Sequence, residues 1–292
     1  DMAKARVSVL GLGSMGGALA EGLIAAGHGV TVWNRSPVRT EPFAGRAAIA
    51  ADAAGAIAAS EIVVLCVLDH AGVGEVLGLP GVLPGLAGRT LVRFTGATPG
   101  QSRASAVTVE AAGGRYLDGS ILTYPETIRS GAGQIVYSGA SGAFESHRSL
   151  FEAWGEALFV GADPGTCFVL DKAVFVVLYG GMFSFLQAAA LADAAGIAPE
   201  VYRRVAERQF EELRRIVPWF ADLMARGDYS NAAASVRVSA EAYAPAAGLC
   251  RELGVDDLLP ATLQALFDRA LAEGRGENEM AACFEMLRRR RV

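Results

Sequence analysis

Val7-Ser8-Val9-Leu10-Gly11-Leu12-Gly13-Ser14-Met15-Gly16, residues 7–16, is the stretch that decides the fold. A short β-prone run leads into a Gly-x-Gly-x-x-Gly turn; the alanine-rich segment from Gly16 to Ala26 then reads as a helix, and Val30 to Trp33 as a second strand. Strand, glycine turn, helix and strand in this order form the unit that binds a dinucleotide. Gly11 suits the tight turn, Gly13 lets a pyrophosphate approach the backbone, and Gly16 lets the helix pack against the strand. Leu12, Ser14 and Met15 complete the loop, and the pyrophosphate is expected at the helix N-terminus, where unpaired N–H groups and the helix dipole favour an anion.

The end of the second strand reports which dinucleotide is bound. NAD-preferring versions of this unit carry a carboxylate there, about 20 residues after the glycines, to hold the ribose 2′-hydroxyl. Here that place holds Asn34-Arg35-Ser36, with Arg39 nearby. With no carboxylate in this segment and several donors for a 2′-phosphate, the expected cofactor is NADPH.

Further strands are expected at Ile62 to Leu68, Thr90 to Phe94, Arg115 to Leu117 and Ile135 to Ser138, the last near the sheet's edge, with alanine-rich helical stretches between the earlier ones. This is the pattern of an α/β domain with a mostly parallel, helix-covered sheet. Val67 and Leu68 end one of these strands and Thr95, Gly96 and Ala97 follow another, and all five are expected on the cofactor side. Arg93 is atypical inside an apolar strand: it is expected to reach the strand end or to mark an altered position.

The chain has 292 residues, 52% hydrophobic and 20% charged, which is the balance of a folded protein large enough for two domains. A net charge of −5 argues against a nucleic-acid partner. The four cysteines, Cys66, Cys167, Cys250 and Cys283, are too far apart for a metal or redox motif and read as reduced core residues, so no metal is expected. Asp1 is read as following a removed tag, and Lys4 and Arg6 lead straight into the first strand, unlike a signal peptide. A cytoplasmic location is the expectation.

A boundary is expected at residues 162/163, with a Rossmann domain before it and an all-α domain after it, joined by a long helix at about 166–193. Between Lys172 and Asp193 that helix has no charge, which satisfies the length criterion for a membrane span. Gln187, the Gly180-Gly181 pair and the absence of an aromatic belt favour a helix buried in protein instead, so no membrane partner is expected. Amphipathic helices are expected at 199–226, with a kink at Pro218, and at 231–253, 258–273 and 277–291; the Arg288 to Arg291 run reads as a solvated helix end. Near the start of the long helix, Asp171-Lys172 is either a site or a solvated, paired first turn.

The glycine turn, Val32-Trp33-Asn34-Arg35-Ser36-Pro37, Thr98-Pro99 and Leu117-Asp118-Gly119-Ser120-Ile121-Leu122 together resemble the β-hydroxyacid dehydrogenase superfamily. Trp33, Tyr137-Ser138-Gly139, Leu170-Asp171, Ala188-Ala189-Ala190-Leu191 and Asn278-Glu279 resemble its imine reductase and reductive aminase branch. In the hydroxyacid dehydrogenases a lysine matches position 171 and an asparagine follows four residues later; here Asp171 and Phe175 occupy those places, and Val176 follows Lys172 at the same spacing.

A developing alkoxide benefits from a cationic acid, whereas an iminium is already positive and is better served by an anion. The resemblance thus implies NADPH-dependent reduction of imines, or of a carbonyl plus an amine, with Asp171 and Tyr179 as catalytic residues. Leu122, Thr123 and Tyr124 are implied beside the nicotinamide, and Met182 and Trp219 are candidate apolar walls of the substrate cleft. Reductive aminases commonly carry an asparagine in the loop where this chain has Thr95-Gly96-Ala97. The resemblance also implies an intertwined homodimer, each site lying between one subunit's Rossmann domain and the other's helical domain. The alternatives are an NADP-dependent β-hydroxyacid dehydrogenase using Lys172 and a non-catalytic NADPH-binding protein.

Overall fold

The structure is a computed structural model in which residues 5–288 are described; Asp1, Lys4 and the Arg289 to Arg291 part of the basic run lie outside them. The chain forms two compact units, residues 1–176 and 177–292, which meet within a single helix.

The first unit is built on an eight-stranded sheet. Its strands are β1 (Arg6–Leu10), β2 (Gly29–Trp33), β3 (Ala48–Ile49), β4 (Ile62–Leu65), β5 (Thr90–Arg93), β6 (Arg115–Ile121), β7 (Gly133–Gly139) and β8 (Gly155–Gly161). They lie in the order β3-β2-β1-β4-β5-β6-β7-β8. β1 to β6 are parallel; β7 pairs antiparallel with β6, and β8 runs parallel to β7 at the edge. β3 and β8 were not expected from the sequence: β3 is two exposed residues long, too short for a pattern, and β8 alternates only weakly.

The first unit's helices are α1 (Ser14–Ala25), α2 (Ala53–Ala58), α3 (His70–Leu77), α4 (Val82–Gly85), α5 (Pro99–Ala111), α6 (Pro125–Arg129) and α7 (Ser141–Phe151). They divide by face of the sheet. Val7, Val9, Val32, Val64 and Val92 pack with α1, α6 and α7, while the alternate positions Leu10, Val63, Leu65 and Leu91 pack with α2 to α5. A strand buried on both faces must be apolar at successive positions, which is why β4 reads Ile-Val-Val-Leu.

α8 (Thr166–Ala194) begins in the first unit and continues into the second. The second unit adds α9 (Pro199–Arg226), α10 (Val236–Tyr243), α11 (Ala246–Glu252), α12 (Leu258–Ala272) and α13 (Cys283–Leu287). The helix expected over 231–253 is therefore two helices, divided where Pro245 precedes α11. The last expected helix starts later, because Glu279 bends the chain by accepting backbone N–H bonds from Ala233, Ala234 and Met280.

Candidate active site

The C-terminal ends of β1, β2, β4 and β5 border a cleft of about 790 Å³, where the strand order turns back on either side of β1. Gly11 has φ +95°, and a Cβ there would lie 2.1 Å from the Cys66 carbonyl oxygen, so no other residue fits. A Cβ on Gly16 would lie 2.0 Å from the Gly11 carbonyl oxygen. Gly13 is the opposite case: nothing lies within 4 Å of its Cβ position, which leaves the backbone bare toward the cleft. No side chain caps α1 at Gly13, so its first-turn N–H groups are available to an anion. A close turn, an open backbone and an uncapped helix together fit a pyrophosphate. Ser14 and Met15 also border this cleft.

Leu12 is buried, and its N–H donates to Asn34 Oδ1 at 2.9 Å, while Asn34 Nδ2 donates to the Ser36 carbonyl at 3.0 Å. Asn34 thereby ties the glycine turn to the loop after β2. Arg35 and Ser36 line the cleft; Arg39 is exposed on the 3-10 turn Pro37–Phe43, away from the cleft-lining set. One expectation needs correction. The loop after β2 has no carboxylate, but Glu75 of α3 supplies one, with Oε2 at 2.6 Å from Arg35 Nη1.

Cys66, Val67, Leu68, Thr95 and Gly96 also line the cleft. Thr95 is buried, and its hydroxyl clamps the loops after β4 and β5 by donating to the Val67 carbonyl at 3.0 Å and accepting from the Val67 N–H at 3.1 Å. Burial pushes the Cys66 thiol up to about 12, leaving it an inert neutral wall. Ala97 lies in a small cluster with Leu122, packed on buried Cys167 and Phe168 at the start of α8. That packing seats the first turn of α8 against the loops after β5 and β6.

Arg93 stands at the last position of β5. It is fully buried, and its Nε lies 3.0 Å from Oδ1 of Asp118, its Cα partner on β6. Its guanidinium donates to Ser102 Oγ at 2.9 Å and Ser105 Oγ at 3.2 Å, lies 3.4 Å from His70 Nδ1, and covers the Phe168 ring at 5.4 Å. Asp118 Oδ1 also accepts from the Tyr116 hydroxyl at 2.7 Å. Burial drives the Asp118 carboxyl above its ordinary range, and the Arg93 charge pulls it partly back.

Along α8, Asp171 is buried at 5% exposure, whereas Lys172 is two-thirds exposed. Lys172 folds back to place Nζ 2.7 Å from Asp171 Oδ2 and sits over the Phe175 ring at 4.8 Å. Tyr179 and Met182 follow on the same helix and are partly exposed. In the first unit, Leu122 is packed as above, Thr123 Oγ1 is buried with no hydrogen-bond partner, and Tyr124 is exposed ahead of α6. Trp219 belongs to the second unit, its ring tilted at 50° to that of Phe220 with centroids 5.6 Å apart, and borders a cleft of about 340 Å³ with Leu223, Arg226 and Asn231. Among the described residues, no cluster of metal-binding side chains occurs.

What sequence reading missed is the α3 wall: Asp69, Gly72, Glu75 and Val76 line the cleft opposite the loop after β2. The available signal was Asp69, an N-cap whose side chain accepts from the Gly72 N–H at 2.9 Å, placed straight after a strand end.

An uncapped glycine turn at the switch point of a doubly wound sheet defines a dinucleotide-binding site. Residues 6–162 match the family model for the NAD binding domain of 6-phosphogluconate dehydrogenase, and residues 163–289 match the NADPH-dependent reductive aminase-like C-terminal domain. The chain is 27% identical to an NADPH-dependent reductive aminase of Aspergillus oryzae over 96% of each protein. An imine reductase from Pseudomonas sp. superposes with a TM-score of 0.87 at 32% identity, covering 97% of this chain and 99% of that one. A reductive aminase from Aspergillus terreus, solved with NADPH and ethyl-5-oxohexanoate, superposes with a TM-score of 0.87 at 30% identity, covering 98% of this chain and 100% of that one. The chain belongs to the imine reductase and reductive aminase family within the β-hydroxyacid dehydrogenase superfamily.

Proposed function

We propose that this protein reduces the C=N bond of an imine to an amine with NADPH, taking either a preformed imine or the product of a carbonyl and an amine. The observation that carries the reading is Asp171: a buried carboxylate on the turns of α8 that pack, through Cys167 and Phe168, against Ala97 and Leu122. NADPH supplies the hydride. As the acid, Asp171 gives its proton to the imine nitrogen, and the carboxylate left behind holds the iminium so formed, whereas the same anion would oppose the negative oxygen of a carbonyl reduction. Lys172, exposed and already engaged with Asp171, acts as its counter-ion in this reading. Tyr179 stands eight residues further along α8, about 12 Å along the axis and about 80° around it, and is the second catalytic side chain. The family membership and the relative solved with NADPH support the same cofactor here.

We also propose a cytoplasmic location and an intertwined homodimer, and the long helix supports the homodimer. With a mean hydropathy of 1.8, α8 is long and apolar enough to cross a membrane, and none of its most apolar 18 residues is buried within the chain. Val176, Val177, Phe183 and Leu186 are exposed along it. A second copy that covers this face and completes the substrate cleft accounts for them without lipid.

The test is NADPH consumption with a cyclic imine, with a ketone plus an amine, and NADP reduction with a 3-hydroxy acid. Turnover is expected in the imine lane, and Asp171→Ala should lower its kcat/KM by about 100-fold or more with the fold intact. Near-normal imine turnover in Asp171→Ala, or activity confined to the 3-hydroxy acid, would overturn the assignment.

A further inference from the structure

We infer that Glu75 is a second determinant of cofactor choice, a carboxylate on α3 that competes with the cofactor's 2′-phosphate for Arg35 and can accept the 2′-hydroxyl of NADH. This rests on the assignment of Arg35 to the 2′-phosphate.

The geometry begins with the spacing on α3. Gly72, Glu75 and Val76 fall at intervals of three and four and line the cleft along one helical face, facing the loop that carries Arg35 and Ser36. Glu75 is thus directed at the adenosine end of the cleft, with its carboxylate 2.6 Å from the Arg35 guanidinium. In NAD-preferring dinucleotide sites the carboxylate that accepts from the ribose 2′-hydroxyl comes from the end of the second strand. Here the second strand is followed by Asn34-Arg35, and the carboxylate enters the same neighbourhood from forty residues away. The two groups have opposite preferences. Arg35 favours a 2′-phosphate, which carries close to two negative charges, and Glu75 repels it while offering an acceptor to a free hydroxyl.

The ion pair is exposed on both sides, at 84% and 62% for the two side chains, so solvent competes for it and either anion can displace the other. Glu75 therefore lowers the NADPH preference that Arg35 alone would give, without abolishing it. The wild-type enzyme is expected to turn over with NADH at a measurable rate.

The test is a comparison of kcat and KM for NADPH and NADH in wild type, Glu75→Gln and Arg35→Ala, with one imine at saturation. Glu75→Gln removes the charge and keeps the shape. It should lower KM for NADPH by about 3- to 10-fold and raise KM for NADH by about 2- to 5-fold, leaving kcat within about twofold. A ratio of kcat/KM for the two cofactors that stays within about twofold of wild type, or that moves toward NADH, overturns the inference, because the second outcome makes Glu75 a support for Arg35 instead of its competitor. Arg35→Ala is read separately: if it leaves KM for NADPH unchanged, the assignment of Arg35 to the phosphate fails, whatever Glu75→Gln shows. Both side chains are exposed, so neither variant should alter the melting temperature by more than a typical surface substitution.

Discussion

Arg35 follows β2 and Arg93 ends β5, and each meets a carboxylate from another element, yet the two pairs do different work. The Arg35–Glu75 pair is open to water, whereas Arg93 and Asp118 are both at 0% exposure. An exposed pair is worth roughly 0.2–1 kcal/mol, so it is breakable, and a phosphate can take the carboxylate's place. A buried pair has lost its hydration for good, so removing one partner leaves a bare charge in a low-dielectric interior. Interchangeability is the mark of a recognition site, and its absence the mark of a structural one. Arg93 reaches Asp118, Ser102, Ser105 and the Phe168 ring from one strand position, so it joins β5, β6 and α5 to the start of α8.

The largest effect should come from the buried side of this contrast. Arg93→Met should cost roughly 3–5 kcal/mol of stability by stranding Asp118, seen as a lower midpoint in urea. Arg93→Met with Asp118→Leu should recover much of the loss, since a matched apolar pair leaves no bare charge. A single variant as stable as wild type would remove the structural role. Arg35→Ala should come next, with KM for NADPH raised about 10-fold, equivalent to about 1.4 kcal/mol, KM for NADH little changed, and an unaltered melting temperature. A fall in stability there, with no change in KM, would erase the distinction between the two arginines.

The smallest expected effect concerns burial acting on neutral groups. His28 and His147 are both held below the ordinary histidine value, chiefly by desolvation, and for His147 also by Arg115. A depressed base binds fewer protons folded than unfolded, so its stability contribution is complete above about pH 6.5 and declines as pH falls from there through the folded value. The melting temperature should therefore drop modestly between pH 7.5 and pH 5.5. His28→Gln with His147→Gln should flatten that slope; a slope that is unchanged in the double variant assigns the loss to other groups.

The cofactor turn was legible because its requirements are local. A tight turn with φ +95° and a bare backbone at the next glycine are properties of neighbouring residues, so Gly11 and Gly13 announce themselves. The long apolar helix and Asp171 were also visible, since an Asp-Lys pair at the head of an uncharged run stands out. The identity of Thr95 was visible, but its work as a clamp on Val67 was not, because the two loops meet only when β4 and β5 pair. Asn34 likewise lines the cleft, but its strut to Leu12 was not legible, because it forms only when the loop after β2 meets the glycine turn.

Residues 7–37 by themselves determined a dinucleotide cradle with an arginine beside it, because chain-local stereochemistry suffices for a βαβ unit. The run around Asp171 likewise determined a long helix headed by an acid and a base. Only the tertiary structure decided that Glu75 faces Arg35 across the cleft and that Arg93 is neutralised by Asp118 inside the sheet. Both pairings depend on strand order, which places β4 beside β1 and β6 beside β5, and on burial, which sets whether a charge pair is a lock or a choice. Neither quantity has a signature in the spacing of residues 35, 75, 93 and 118 along the chain.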